Sequence, residues 1–254
     1  VTDRDEFRVD MHVKVLDEKV VRRAKQRGLD ALVYAPHFVR LPEIRRRTER
    51  FSDDDLLVVP AREVFTGTWR NRKHVLAVGL DEPVPDFITL TGAMAEFERQ
   101  NAAVLVPHPE FLSVGVSEAD IRVHSDVIHA VETYNPKHWE RHNRRAKAIV
   151  ETTDKSAFGS SYAHLHGTIG EVWTAFDTPV ETEAELVEQL RTGNVTRVVH
   201  RTGRSHELRR RVEFAHLGWE NSWKKIDRLV LSGMEPTHPD HEAYDGQFDD
   251  ISVY

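Results

Sequence analysis

Four histidines and two glutamates stand at or near the ends of successive apolar runs: His12 in FRVDMHV, His37 in ALVYAPH, Glu63 in LLVVPAREV, His74 in HVLAVGL, His108 in AAVLVPHP and Glu132 in VIHAVETY. Imidazole nitrogens and carboxylate oxygens are ligands for zinc and other first-row divalent ions. A single histidine on an apolar strand reads as a hydrogen-bonded core residue. The same placement repeated strand after strand reads as a converging set. His164, in the Ser-, Gly- and His-rich stretch FGSSYAHLHGTIG, joins it. Lys14 follows His12 by two positions, which in an extended strand puts an ammonium on the same side as the imidazole. The chain has no cysteine. Disulfides, thiolate zinc sites and thiol nucleophiles are therefore excluded, and any metal is held by nitrogen and oxygen.

Such a set needs strands that bring their ends together. Short apolar runs recur at 7–13, 31–37, 56–64, 74–80, 102–109, 127–134 and 155–161, and helix-like stretches at 17–28, 91–101 and 137–151 lie between them. This is the pattern of repeated βα units. Gly28 closes the first helix as a C-cap. The uniformly short intervals predict a closed parallel barrel, whose strand ends meet at one mouth where active sites are built. From about residue 182 the pattern changes to an acidic-to-basic helix, ETEAELVEQLRTG, then a strand and turn, an Arg-rich helix and a polar tail. The expected division is a barrel over 1–180 and an extension over 181–254 packed on it, its tail loosely ordered.

At 254 residues, with 39% hydrophobic and 30% charged residues, the chain can bury a sizeable core. No apolar run approaches a membrane span, and VTDRDEFRVD has no signal-peptide character, so the expectation is cytoplasmic. Net charge is −7, with 26 arginines against 9 lysines, a bias that genome composition can explain.

In order and spacing these motifs resemble those of the PHP (polymerase and histidinol phosphatase) superfamily of metal-dependent phosphoesterases. DMHVK stands at the family's H-x-H motif, with His12 kept and Lys14 in place of the second histidine. YAPH stands at T-D-H and keeps His37, with Pro36 at the aspartate. PAREV supplies the bridging Glu63, KHVLAVGL the following His74, VPHPEF the A-H-P histidine His108, and VETYNP a strand ending in Glu132 and Asn135. SSYAH stands at G-S-D-A-H, keeping His164 with Tyr162 at the aspartate. The resemblance covers about residues 8 to 176. It implies a distorted (β/α)7 TIM-like barrel, α/β in class, with a C-terminal helical extension.

The resemblance also implies a mouth with one or two divalent ions, zinc or manganese, with iron a further option. His12, His37, Glu63, His74, His108 and His164 are the ligand candidates. Lys14 and Tyr162 replace two residues that serve one metal in the family, so one subsite is expected to be empty and the Lys14 ammonium to stand where a cation was. Glu63, His74 and His108 suffice for one zinc with an open position. His37 and His164 would hold a second ion with help from Asp17 or Glu18. The expected reaction is hydrolysis of a phosphomonoester or nucleotide by a metal-activated water, with Lys14, His37 and His164 as catalytic groups and Glu132, Asn135 and Tyr162 at the mouth.

The alternative is a degenerate barrel that binds nucleic acid or a protein complex through arginines, as some barrels resembling this family do in RNA-processing assemblies. Two clusters motivate it. RLPEIRRRTER follows His37, so Arg40, Arg45 and Arg46 either lean over the mouth to clamp phosphate or form a solvated helix face with Glu43 and Glu49. RVVHRTGRSHELRRR, with Arg209, Arg210 and Arg211, is either a polyanion surface or an ion-pairing partner of ETEAELVE. Trp219 and Trp223 read as a helix packing face. His138 and His142 read as exposed, because H-W-E-R-H is not a zincin motif.

Overall fold

The structure is a computed structural model, and it describes residues 6–253 except 69, 196, 210, 213, 214 and 217–234. Its described strands form one sheet in the order β7-β6-β5-β4-β3-β2-β1-β8-β9. They are β1 (Phe7–Val13), β2 (Ala31–Tyr34), β3 (Leu57–Thr66), β4 (Lys73–Val78), β5 (Ala103–Val106), β6 (Ile128–Tyr134), β7 (Ser156–Gly159), β8 (Val172–Phe176) and β9 (Arg197–His200). β7 meets β8 through the Thr174 hydroxyl, which accepts from the Gly159 N–H and donates to the Gly159 carbonyl, both at 3.0 Å. The sheet is thereby a nearly closed barrel.

The barrel is mixed rather than parallel, which corrects the expectation. β1, β2 and β3 run parallel, as do β5, β6 and β7, but β4 is antiparallel to both its neighbours and β8 to β1 and β9. The reason at β3–β4 is the short link over 67–72, which holds a hairpin but no crossover helix. Gly67 turns it at φ +76°, and a Cβ there would lie 2.2 Å from the Asn71 carbonyl oxygen.

Helices pack on the outside. α1 (Glu18–Arg27) starts where the Asp17 carboxylate accepts from the backbone of Lys19 and Val20, and stops at Gly28, φ +72°. α2 (Leu41–Phe51) carries Pro42 in its first turn. α1 and α2 cover β1, β2 and β8 with Val20, Ala24 and Ile44. α3 (Leu90–Arg99) and α4 (Glu118–Val123) cover the β3–β6 side, as does α5 (Glu140–Thr153). α4 begins with a capping box between Ser117 and Asp120. No helix among the described residues is long and apolar enough to cross a membrane.

Both features of the expected extension differ. α6 (Glu183–Arg191) inserts Leu186 and Leu190 into the cluster that fills the barrel, and β9 continues the sheet beside β8, so these two elements beyond residue 180 are structurally part of the barrel. The polar tail is docked. Tyr244 and Phe248 lie in the outer core, Ser252 bridges Ile88, and Thr237 donates to Asp86 at 2.6 Å. Asp86 is held in turn by the fully buried Arg62 at 3.1 Å and the Phe65 N–H at 2.9 Å. Two buried aromatic side chains and one buried ion pair fix a segment whose composition reads as loose.

Candidate metal centre at the barrel mouth

The period of two in each strand builds the site. Val33 and Ala35, Val59 and Ala61, Leu76 and Val78, Ala103 and Leu105, Ala130 and Phe158 face one another inside the barrel. One further step toward the mouth replaces the apolar side chain by Glu63, His74 and Glu132 in β3, β4 and β6, and by His37 and Ser160 just beyond the ends of β2 and β7. Two strands reach the same layer by irregularity. β1 carries an extra residue relative to β2 between Asp10 and Val13, so His12 and Lys14 turn inward although Val9 and Met11 already do. His108 follows β5 at φ +36°, a left-handed conformation that costs a non-glycine residue about 1 kcal/mol or more. Tyr162, φ +46°, and Phe38, φ +54°, share it.

Everything converges on Glu63, whose side chain is fully buried. Its two oxygens face different groups. Oε1 lies 3.1 Å from His108 Nε2 and 3.4 Å from His74 Nδ1. Oε2 lies 2.5 Å from Lys14 Nζ, 2.7 Å from His37 Nε2 and 3.8 Å from His12 Nε2. Lys14 also donates to the Ala35 carbonyl at 2.6 Å. Burial opposes ionisation of Glu63, but Lys14 and the ring of imidazoles outweigh it and hold the carboxyl well below its usual range. Burial, followed by repulsion from Lys14, pushes His12 well down and His37 to about 3. Burial likewise pushes His74 to about 4 against the pull of Glu63. These imidazoles are neutral near pH 7 and so are competent as ligands.

The donor set fits a divalent ion. Among the described residues, Glu63, His74 and His108 are the one group of three whose ligand atoms all lie within 4.8 Å of one another. Both ring nitrogens of His12 and of His74, and Nδ1 of His108, are buried without a hydrogen-bond partner. Nitrogen lone pairs left unpaired in a dry site are what a metal would satisfy.

The other predicted residues are distributed around this centre. His164 and His37 approach with ring centroids 5.9 Å apart, outside the group of three. Glu132 accepts from the His108 N–H at 2.8 Å, Ser160 Oγ at 2.6 Å and Asn135 Nδ2 at 3.1 Å, so it braces the His108 turn. Tyr162 sits with its ring between the ammonium groups of Lys14 and Lys137, 5.5 and 4.4 Å from its centroid. Asp17 caps α1 and meets His166 at 2.8 Å, and Glu18 is exposed.

The first arginine cluster does not lean over the mouth. Arg45 turns to Glu183 of α6 and the Leu80 carbonyl at the barrel's other end, Arg46 lies along its own helix, and Arg40 is exposed at its start. In the second, Arg209 pairs with the buried Glu171 and Arg211 with Glu207, not with 181–188. Arg210, Trp219 and Trp223 lie outside the described residues.

Sequence reasoning missed Lys137 and misjudged His138. Lys137 is 2% exposed. Its ammonium donates to the Tyr162 carbonyl and lies 2.6 Å from His164 Nδ1. His138 is buried, stacked on Phe111 at 4.2 Å and 6.2 Å from His108. Both lie in the loop before α5, where no strand period applies; the signal that could have been used is their position directly after the VETYNP motif.

The comparisons with known proteins follow from this geometry. Residues 140–195 match the PHP_C family, described as PHP-associated. No curated protein matches the sequence. PsfC from Pseudomonas syringae superposes with a TM-score of 0.63 at 17% identity, over 84% of this chain and all of that one. An amidohydrolase from Chromobacterium violaceum gives 0.49 at 12% identity, over 61% of this chain and 87% of that one. A candidate metal-dependent phosphoesterase from Bifidobacterium adolescentis gives 0.48 at 12%, over 63% and 88%. The first of these likenesses speaks to the fold.

Proposed function

We propose that this chain, a PHP-superfamily domain by its PHP-associated segment and its barrel, hydrolyses a phosphomonoester or nucleotide with one divalent ion at Glu63, His74 and His108. The observation that carries the reading is the division of Glu63, with Oε1 toward the imidazoles of His74 and His108 and Oε2 capped by the Lys14 ammonium. The ion, when bound, supplies Lewis acidity to water and to the phosphoryl group.

The chain's own groups supply charge and protons. Lys14 orients the carboxylate and puts a positive charge beside the place where charge develops on the phosphoryl oxygens. A carboxylate only accepts, so the proton of neutral His37 sits on Nε2, bonded to Glu63 Oε2. Its Nδ1 is then the acceptor that takes a proton from the attacking water. Burial, then Lys137, keep His164 neutral as well. His164 Nδ1 meets both the Lys137 ammonium, a donor at 2.6 Å, and the Tyr162 carbonyl, an acceptor at 3.0 Å. In this reading the Lys137–His164 pair supplies the proton to the leaving alkoxide.

The test measures metal per chain and aryl phosphate hydrolysis for the parent, Glu63→Ala and His108→Ala. Support is about one ion per chain, turnover stimulated by Mn²⁺ or Zn²⁺, and loss of both in the variants. A parent that takes up neither ion refutes the hydrolase. The two ammonium groups at the mouth, Lys14 and Lys137, favour as second reading a barrel that has lost its chemistry and acts through binding. A parent that holds an ion but hydrolyses no phosphoester would support it.

A further inference from the structure

We propose that a basic strip beside the mouth binds single-stranded nucleic acid, a function that does not depend on whether the metal centre hydrolyses anything. Two clefts lie along the strip. The larger, about 620 Å³, is bounded by the end of β6, the end of β9 and the helical turn at 204–209, with Tyr134, His200, Arg201, Arg204 and Arg211 on its walls. The smaller, about 230 Å³, lies between α1 and the 3-10 turn His166–Thr168, with Lys19, Arg22, Arg23 and His166. Both border the mouth along the chain: Tyr134 is two residues beyond Glu132, and His166 two beyond His164.

Between the clefts, two guanidinium groups and an imidazole crowd a single buried carboxylate. Glu171 takes Arg27 at 2.9 Å, Arg209 at 2.7 Å and His206 at 2.8 Å. Arg23 and Arg27 are held below the usual guanidinium range by burial and by one another's neighbours, Arg201 and Arg209. The other carboxylates along the strip are few. Asp17 is engaged by His166 and Glu207 by Arg211, and Glu18 is exposed. Lys19, Arg22 and Arg204 are exposed with no carboxylate partner among the described residues. In a chain of net charge −7 this is a segregation of charge, and a segregated basic face attracts polyanions.

The aromatic groups decide which polyanion. Tyr134 and the exposed His200 stack at 4.0 Å with ring planes 1° apart at the lip of the larger cleft. Single-stranded nucleic acid is held where a basic groove tracks phosphates and a flat ring receives a base. Carboxylates alone would leave the flat face of this pair unused. Two small clefts joined by a strip suit a flexible strand better than the broad face of a duplex.

The test uses the full chain and a fluorescein-labelled oligouridylate of about 20 nucleotides, read by anisotropy across a salt series. Four to five engaged phosphates give a log–log salt slope of about −3 to −3.5. The quadruple variant Lys19→Ala, Arg22→Ala, Arg204→Ala, Arg211→Ala changes exposed residues only, so its circular dichroism and melting stay as in the parent. It should flatten the slope by about 2 to 3 and weaken binding at least about 10-fold. His200→Ala should weaken binding about 5-fold or more with the slope unchanged. Absence of binding at low salt, or an unaltered slope in the quadruple variant, overturns the proposal. So does equal displacement by polyglutamate, which points to an acidic protein, or a preference for duplex. His74→Ala should bind like the parent; loss of binding there assigns the strand to the mouth and overturns the strip.

Discussion

Replacing Lys14 by Met tests the electrostatic logic of the mouth most directly. Methionine keeps the volume of the lysine stem, so little cavity opens, and the change isolates the charge. Lys14 and Glu63 are paired at 2.5 Å with side chains 4% and 0% exposed. Removing one partner of a buried pair leaves the other charge uncompensated and costs about 3–5 kcal/mol. For a chain of this length 1 kcal/mol moves Tm by about 2–4 °C, so in EDTA the variant should melt about 6–20 °C below the parent. A divalent ion supplies the missing positive charge. At a concentration about 100 times its Kd it returns about 2.7 kcal/mol, so Mn²⁺ or Zn²⁺ should raise the variant's Tm more than the parent's. The assay is thermal unfolding of both proteins with EDTA and with each ion. A variant that melts with the parent in EDTA, or gains no more than the parent from metal, refutes the claim that Lys14 stands in the place of a cation.

Three further outcomes follow from other parts of the structure. Glu132→Ala removes the acceptor of the His108 N–H, and should lower metal affinity about 10–100-fold by isothermal titration while the chain stays folded. Asp86→Ala leaves Arg62 buried and unpaired and frees Thr237, so stability should fall by about 3–5 kcal/mol and limited proteolysis should cut first within 235–253; a tail as resistant as the parent's contradicts the anchor. His129 accepts from the Val104 N–H at 3.0 Å, and burial pushes it from 6.5 down to about 4. The unfolded chain therefore takes up a proton that the native one refuses. Stability from this group is full above pH 6.5 and is lost as pH falls toward 4. His129→Asn keeps an acceptor, and denaturant titrations from pH 7 to 4 should show a shallower decline; an unchanged slope would remove His129 from the acid response.

How much of this could be read in advance depends on which interactions are periodic. Strand after strand, a period of two carries apolar side chains up the barrel interior and ends in His37, Glu63 or His74, so the gathering of these side chains was legible as chemistry recurring at the same step. The first helix announced its end through Gly28, while the capping role of Asp17, read as a possible ligand, appeared only in the fold. Strand direction did not, because antiparallel and parallel strands share one side-chain alternation; only pairing in space made β4 and β8 antiparallel. The docking of the tail was likewise invisible, since it rests on Arg62 and Asp86, residues distant from it in sequence and polar by type.

The residues of the chain by themselves determined that nitrogen and oxygen donors would gather at one end of a strand-and-helix barrel, since side-chain type and local period are properties of the sequence. Tertiary structure decided the rest: that the extra residue in β1 turns both His12 and Lys14 toward Glu63, that Lys137 arrives from a loop to meet His164, and that Arg45 leaves for the opposite end. Each of these depends on distances between elements far apart in the chain. A carboxylate chooses among cations by which of them the fold brings within about 4 Å, and that selection is made by packing.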